Sequence, residues 1–214
     1  MATNFPLRPF IAISSLKLLC CSAIAQQQVP AAPDSTWSFS ASGYYYFIPD
    51  EKNTYTFIGT ADYKKIHLET RYNYEDQNTG SVFAGWRFKT KGKVQFEAIP
   101  MMGIVFGNTN GIAPGVELSL AYYKFDYYSE TEYVIDFSRN ENNFLYTWGE
   151  IAFSPIEALR TGISYQRTRL YQTSFDTQRG IFAEYSFWKL TAGVFYFNPF
   201  SSSELATATL TFDF

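Results

Sequence analysis

His67, Glu69 and Arg71 stand at every second position, with Lys65 before them and Glu75 after them. A period of two puts all five on one face of a β-strand. Imidazole, carboxylate and guanidinium groups sharing a face could bind a polar solute, pass protons or neutralise one another. Neighbouring segments add Arg87, Lys89, Gln95 and Glu97. Later ones add Glu117, Asp136, Glu150, Gln166, Glu184 and Asp213, each on the polar side of an alternating run. Both signs are present. The set therefore reads either as a hydrated surface for a polar solute or as a filling of mutual ion pairs.

Other chemistries are poorly served. His67 is the only histidine, so a Ser–His hydrolase would have to use it, and no Gly-x-Ser-x-Gly elbow is present. Cys20 and Cys21 are the only cysteines, and both fall in the first 25 residues. One histidine and no further cysteine argue against a transition-metal site. No catalytic residue, metal or cofactor is assigned, and the chain is not read as an enzyme.

The elements that position these residues are strands. In the closing segment Ala206, Ala208, Leu210, Phe212 and Phe214 alternate with Leu205, Thr207, Thr209, Thr211 and Asp213. Counting back, alternating runs over 37–48, 54–63, 65–75, 81–89, 94–106, 116–123, 131–138, 144–153, 159–171, 179–187 and 190–197 precede it. That is about twelve strands of roughly ten residues, the length a tilted strand needs to cross a bilayer. Ten is the lower count, because residues 124–138 are ambiguous. Pro100 suggests a bulge. The Gly-rich stretch 107–115 reads as the longest loop.

Aromatics make up 20% of the chain, with 17 Tyr and 21 Phe, against 17% charged residues. Trp37, Tyr63, Phe88, Trp188, Phe212 and Phe214 fall at one end of the strands. Tyr45, Phe47, Tyr55, Tyr72 and Tyr74 fall at the other. Two such girdles suit the two headgroup zones of a membrane. A soluble barrel would have the reverse faces, apolar inside and polar outside.

Residues 1–25 read as a cleavable signal peptide, with Arg8, an apolar run and Ala23-Ile24-Ala25 before Gln26. Residues 26–36 read as a flexible periplasmic leader, and 37–214 as the barrel. Removing the signal takes away Arg8 and Lys17 but no acid, which moves the net charge from −3 to −5. An acidic chain without a basic run excludes nucleic acid as the expected partner.

This pattern resembles the small bacterial outer-membrane β-barrels of porin type. The resemblance rests on the alternation, the terminal Phe214 and the aromatic girdles. It implies an all-β fold, a transmembrane up-and-down antiparallel barrel in a Gram-negative outer membrane. It also implies contact with outer-membrane lipid and lipopolysaccharide; Arg167 and Arg169 could pair with its phosphates if they face outward, but ordinary solvated charge at the base of a loop is the favoured reading of them. The barrel-assembly machinery would read Leu210, Phe212 and Phe214.

The implied function is a small channel for small polar solutes. Lys65, His67, Glu69, Arg71, Arg87, Lys89, Gln95, Glu97, Glu117, Glu150 and Glu184 would line its lumen. The alternatives are a non-conducting structural or surface-interaction barrel and, least favoured, a lipid-modifying enzyme using His67. Among such barrels the short loops look like those of the acidic-oligosaccharide porins. Those have a basic lumen, whereas this one is mixed to acidic.

Overall fold

The computed structural model describes residues 36–49, 52–170 and 177–214. The expected signal segment, with Cys20 and Cys21, and the leader up to residue 35 lie outside the described residues.

Alternating sequence becomes alternating exposure. The strands are β1 (Ser38–Phe47), β2 (Thr54–Tyr63), β3 (Ile66–Tyr72), β4 (Thr79–Trp86), β5 (Phe88–Lys89), β6 (Gln95–Gly107) and β7 (Gly111–Tyr122). They continue as β8 (Phe125–Asp136), β9 (Phe144–Ile156), β10 (Leu159–Arg167), β11 (Gln178–Phe187), β12 (Leu190–Phe197) and β13 (Leu205–Asp213). The ladder is antiparallel throughout and closes where β1 pairs with β13 and β4 with β6.

Segments β4 and β5 both pair with β6 and form one stave interrupted at Arg87, so the wall has twelve staves. The last strand sits beside the first. At the seam the Phe39 and Phe214 main chains exchange N–H···O bonds of 3.1 and 3.0 Å.

The faces are those of a membrane barrel. Phe57, Val82, Ile104, Ile151, Ile163, Ile181, Val194 and Leu210 are exposed on the outside, while Thr56, His67, Glu69, Arg71, Ser81 and Thr207 are buried inside. Leaving a large apolar side chain in water rather than burying it forgoes about 1.5–3 kcal/mol. A continuous outer belt of them has its matching solvent in lipid.

Aromatic rings gather near the strand ends. Trp37 stacks on Tyr63 at 5.1 Å, Phe39 on Phe214 at 5.7 Å, and Trp188 meets Phe212 edge-on at 6.1 Å. At the opposite end Tyr45 meets Phe47 and Tyr55 meets Phe57.

Several sequence expectations are corrected. Residues 107–115 are not a loop, because β7 begins at Gly111 and only 108–110 turn. Their small residues serve a close approach: a Cβ on Gly115 would come within 3.2 Å of Glu132 Cβ. The seventh stave starts at Phe125, not at 131, after a tight turn in which Tyr123 is left-handed (φ 53°).

Pro100 makes no bulge. Register is continuous across it, from Gly85↔Met101 to Phe88↔Ala98, and the proline lies opposite the break between β4 and β5. Without an N–H it has no ladder bond to give there. Tyr74 does not join the outer girdle. Asn73 is left-handed (φ 55°), which ends the alternation at Tyr72 and turns both Tyr74 and Glu75 inward, where they are buried.

Candidate functional site: the acidic lumen

Cross-strand register decides which inward groups meet. Asp62 stands opposite His67, Lys89 opposite Glu97, Arg160 opposite Glu184, and Glu117 opposite Glu130. The first three pairs join opposite charges or a hydrogen-bonding couple. The fourth sets two carboxylates side by side, which a sheet tolerates only with a cation or proton nearby.

Arg71 is the centre of one network and is fully buried, with 0% of its side chain exposed. It grips Glu69 through two nitrogens at 2.9 and 3.0 Å. It then crosses the lumen to β8, where Nη2 lies 2.6 Å from Glu130 and Nη1 2.8 Å from Glu132. Glu75 stands 3.7 Å away and accepts a bond from the Ser81 hydroxyl at 2.5 Å. Tyr74 donates its hydroxyl to Glu130 at 2.6 Å.

The guanidinium carbon lies over the rings of Tyr74 at 4.4 Å and Phe83 at 4.1 Å. One cation thus faces four carboxylates. In the loop after β3, burial pushes the Glu75 carboxyl above the usual carboxylate range, with Arg71 pulling against it.

Two further networks lie toward the end of the barrel where β1 begins and β13 finishes. Arg87 pairs with Asp62 at 2.5 Å and Glu97 at 2.7 Å, and Lys89 adds a 2.8 Å contact to Glu97. His67 Nδ1 shares a 2.7 Å hydrogen bond with Asp62. On the opposite wall Arg160 gathers Asp126 at 2.6 Å, Glu150 at 2.5 Å and Glu184 at 2.8 Å. Glu150 also accepts the Trp148 indole N–H at 2.7 Å.

These networks are partly exposed, Arg160 by 25%, whereas Arg71 is not. Between them lies a cavity of about 310 Å³, lined by Asp62, His67, Glu69, Arg87, Glu97, Glu117, Glu130 and Glu150, with Tyr44, Tyr46, Tyr74, Tyr128 and Tyr146. Part of the interior is packed with aromatic rings. Trp148, Phe182, Phe195 and Phe197 pack ring on ring, and Gln166 bonds Gln178 at 2.9 Å.

The residues singled out from sequence are distributed as follows. His67, Glu69, Arg87, Glu97, Glu117 and Glu150 border the cavity, and Arg71, Lys89 and Glu184 belong to the networks around it. Lys65 stands exposed in the turn after β2 and does not border the cavity. Gln95 is half-buried at the start of β6.

Asp136 instead holds the outer end of β8, accepting the main-chain N–H groups of Ser138 and Arg139 at 2.7 and 3.0 Å. Arg169 donates to the Asn142 carbonyl at 3.1 Å, and Arg167 to that of Leu145 at 3.2 Å.

Sequence reasoning missed Asp62, Asp126, Glu130, Glu132 and Arg160 as site residues. Their signal was present, since Asp126, Tyr128, Glu130 and Glu132 are every second residue. It was masked because tyrosine occurs on both faces, at Tyr127 and Tyr128.

No protein-family model and no curated protein sequence matches the chain. Solved structures do. A KdgM porin superposes with a TM-score of 0.60 at 13% identity, covering 82% of this chain and 99% of that one. A second structure of it, described as in complex with disordered oligogalacturonate, gives the same values. The outer membrane protein Omp33 of Acinetobacter baumannii matches with a TM-score of 0.51 at 12% identity, covering 83% and 98%. What this chain shares with them is the fold, the closed antiparallel barrel of the outer-membrane porins.

Proposed function

We propose that the chain is an outer-membrane channel for small polar solutes that prefers cations. The observation that carries this reading is the charge balance of the cavity and the networks around it, where Asp62, Glu69, Glu75, Glu97, Glu117, Asp126, Glu130, Glu132, Glu150 and Glu184 outnumber Arg71, Arg87, Lys89, Arg160 and His67. A low-dielectric wall focuses that excess of negative charge onto the lumen axis. The apolar outer belt supports placement in a membrane, and the signal-like residues 1–25 support export.

Leu210 and Phe212 on the outer face of β13, with Phe214 just beyond it, fit a seam signal for the assembly machinery. Outer-membrane lipid and lipopolysaccharide are the surrounding partners in this reading. The KdgM structure holds an oligogalacturonate, a polycarboxylate. An acidic lumen opposes such an anion, so the solute class here is cationic or neutral. No catalytic role is assigned to His67, whose Nδ1 is committed to Asp62.

A second reading, a closed non-conducting barrel, is favoured by one observation, the complete burial of Arg71 and Glu75 across the lumen. Planar-bilayer recording of the refolded 26–214 chain separates the two. The channel reading expects discrete openings, with a reversal potential in a KCl gradient displaced toward the potassium potential. A displacement toward chloride would refute the cation preference. Silent bilayers containing heat-modifiable, folded barrel would establish the closed reading.

A further inference from the structure

The geometry points to a binding site for a first-row divalent cation such as Zn²⁺ in the lumen, formed by His67, Glu69 and Glu117. These residues come from β3 and β7, and one ligand atom from each lies within 4.8 Å of the other two. Proximity of acids alone would not make a site. The second observation is His67 itself. It is 4% exposed, and its Nε2 is buried with no hydrogen-bond partner. The nearest carboxylate, on Glu69, is 3.5 Å away, too long for a hydrogen bond of useful strength.

The other ring nitrogen is occupied. Nδ1 lies 2.7 Å from Asp62. With Nδ1 donating its proton to that carboxylate, Nε2 is the ring atom left for a metal ion, which on binding takes the place of any proton held there. A carboxylate, a histidine and an open Nε2 in line is the arrangement that orients metal-binding imidazoles and raises their basicity.

Glu117 completes the set. Among the described residues it makes no ion pair, and it stands directly opposite Glu130 in the sheet. A cation held between His67, Glu69 and Glu117 would relieve that repulsion. Donors on a tetrahedral ion at about 2.0–2.2 Å lie roughly 3.4 Å apart, so side-chain adjustments of about 1 Å close the site. All three residues border the cavity, which leaves a fourth position open to water. One imidazole with two carboxylates suits zinc or its first-row neighbours better than calcium or magnesium, which take oxygen ligands alone.

The sequence argued against such a site because it counted one histidine. Folding supplies the carboxylates from two staves. The inference is independent of conduction, since a closed barrel holds the same three donors.

The test is calorimetric titration of the refolded 26–214 barrel in detergent with zinc chloride alone. The expected result is one equivalent bound per barrel. Glu117→Gln should weaken binding at least tenfold. It should also leave the barrel as stable as the parent or more so, because the amide removes a like charge facing Glu130. That pairing of outcomes separates ligand loss from misfolding.

Asp62→Asn, which loosens the orientation of the imidazole and also loses the Arg87 ion pair while leaving all three ligands in place, should weaken binding roughly 10–100-fold. Substituting Co²⁺ should give visible d–d bands that shift in His67→Gln. Zinc binding below one equivalent, or Glu117→Gln and His67→Gln barrels that bind as the parent does, would overturn the site.

Discussion

Replacing Arg71 by methionine keeps an unbranched apolar stem and removes the guanidinium with its charge. The guanidinium is fully buried against Glu69, Glu75, Glu130 and Glu132, at 2.6 to 3.7 Å. Four buried carboxylates cannot all keep their charge without it, and the cheapest response is to take up a proton. Whatever protons the parent cluster holds, losing one positive charge is compensated by gaining one more.

Neutralising one glutamate with an ordinary value of about 4.3 costs about 1.4 kcal/mol for each pH unit above it. The cost is then about 4 kcal/mol at pH 7 and about 1 kcal/mol at pH 5. The first figure falls within the roughly 3–5 kcal/mol expected for breaking a buried ion pair. The sign follows from linkage. The folded variant binds a proton that the unfolded chain releases, so its stability rises as pH falls.

The assay is equilibrium urea unfolding in detergent micelles, followed by tryptophan emission, on parent and variant at pH 5, 6, 7 and 8. The difference between them should grow by about one proton's worth per pH unit. A difference that stays flat across that range would refute the premise that the cluster is desolvated. A difference below about 1 kcal/mol at pH 7 would show that water reaches Arg71.

Glu75→Gln should behave oppositely. Burial raises the carboxyl of Glu75, so its neutral form suits the fold and stability is lost as pH rises through its folded value. The amide copies the neutral form, so the variant should gain on the parent between pH 5 and pH 8; a variant that loses ground with rising pH would show that the charged form is the stabilising one. Gly103→Ala should cost about 1–3 kcal/mol, because its Cβ would overlap the Phe83 ring, which Arg71 holds in place from the other side. Unfolding midpoints within error of the parent would mean that Phe83 moves freely.

The closing strand was legible residue by residue. Thr207 is buried and Leu210 and Phe212 are exposed, as alternation alone requires. The stave count and the seam between first and last strands were equally readable, because period two is a backbone property. Other features were not. The stretch 107–115 reads as a loop from sequence, since glycine and proline mark turns in general and close approach only in a known neighbourhood. Tyr74 was assigned to the membrane belt, since nothing local announces that Asn73 is left-handed.

Arg160 and Glu132 were missed for a further reason. A lumen network is built across staves distant in sequence, and Arg71 meets Glu132 only once the barrel has closed. Alternation tells which face a residue occupies but not what stands opposite. Tyrosine, amphipathic enough for either face, blurs even that signal.

The barrel's width explains why so much charge is inside. An eight-stranded barrel can be filled by side chains, and sixteen strands leave an open channel. Twelve staves leave a space too wide for aliphatic side chains alone. This chain fills part of it with long side chains, Arg71 reaching from β3 to β8 and Arg160 spreading along its own wall to Glu184, Glu150 and Asp126 on β11, β9 and β8. Each such arm is a cation that must be neutralised, and the glutamates around it do more than that.

Arg71 faces four carboxylates and Arg160 three, so the packing solution itself leaves a negative surplus. A surplus of charge in a low-dielectric tube has to be met by protons or by mobile cations. The cavity beside Glu117 is where the structure leaves room for the latter. The proposed cation preference and the proposed divalent site therefore share one physical origin. A Glu117→Gln barrel should accordingly lose zinc and also shift its KCl reversal potential toward zero, by less than the full parental displacement because the other lumen carboxylates remain.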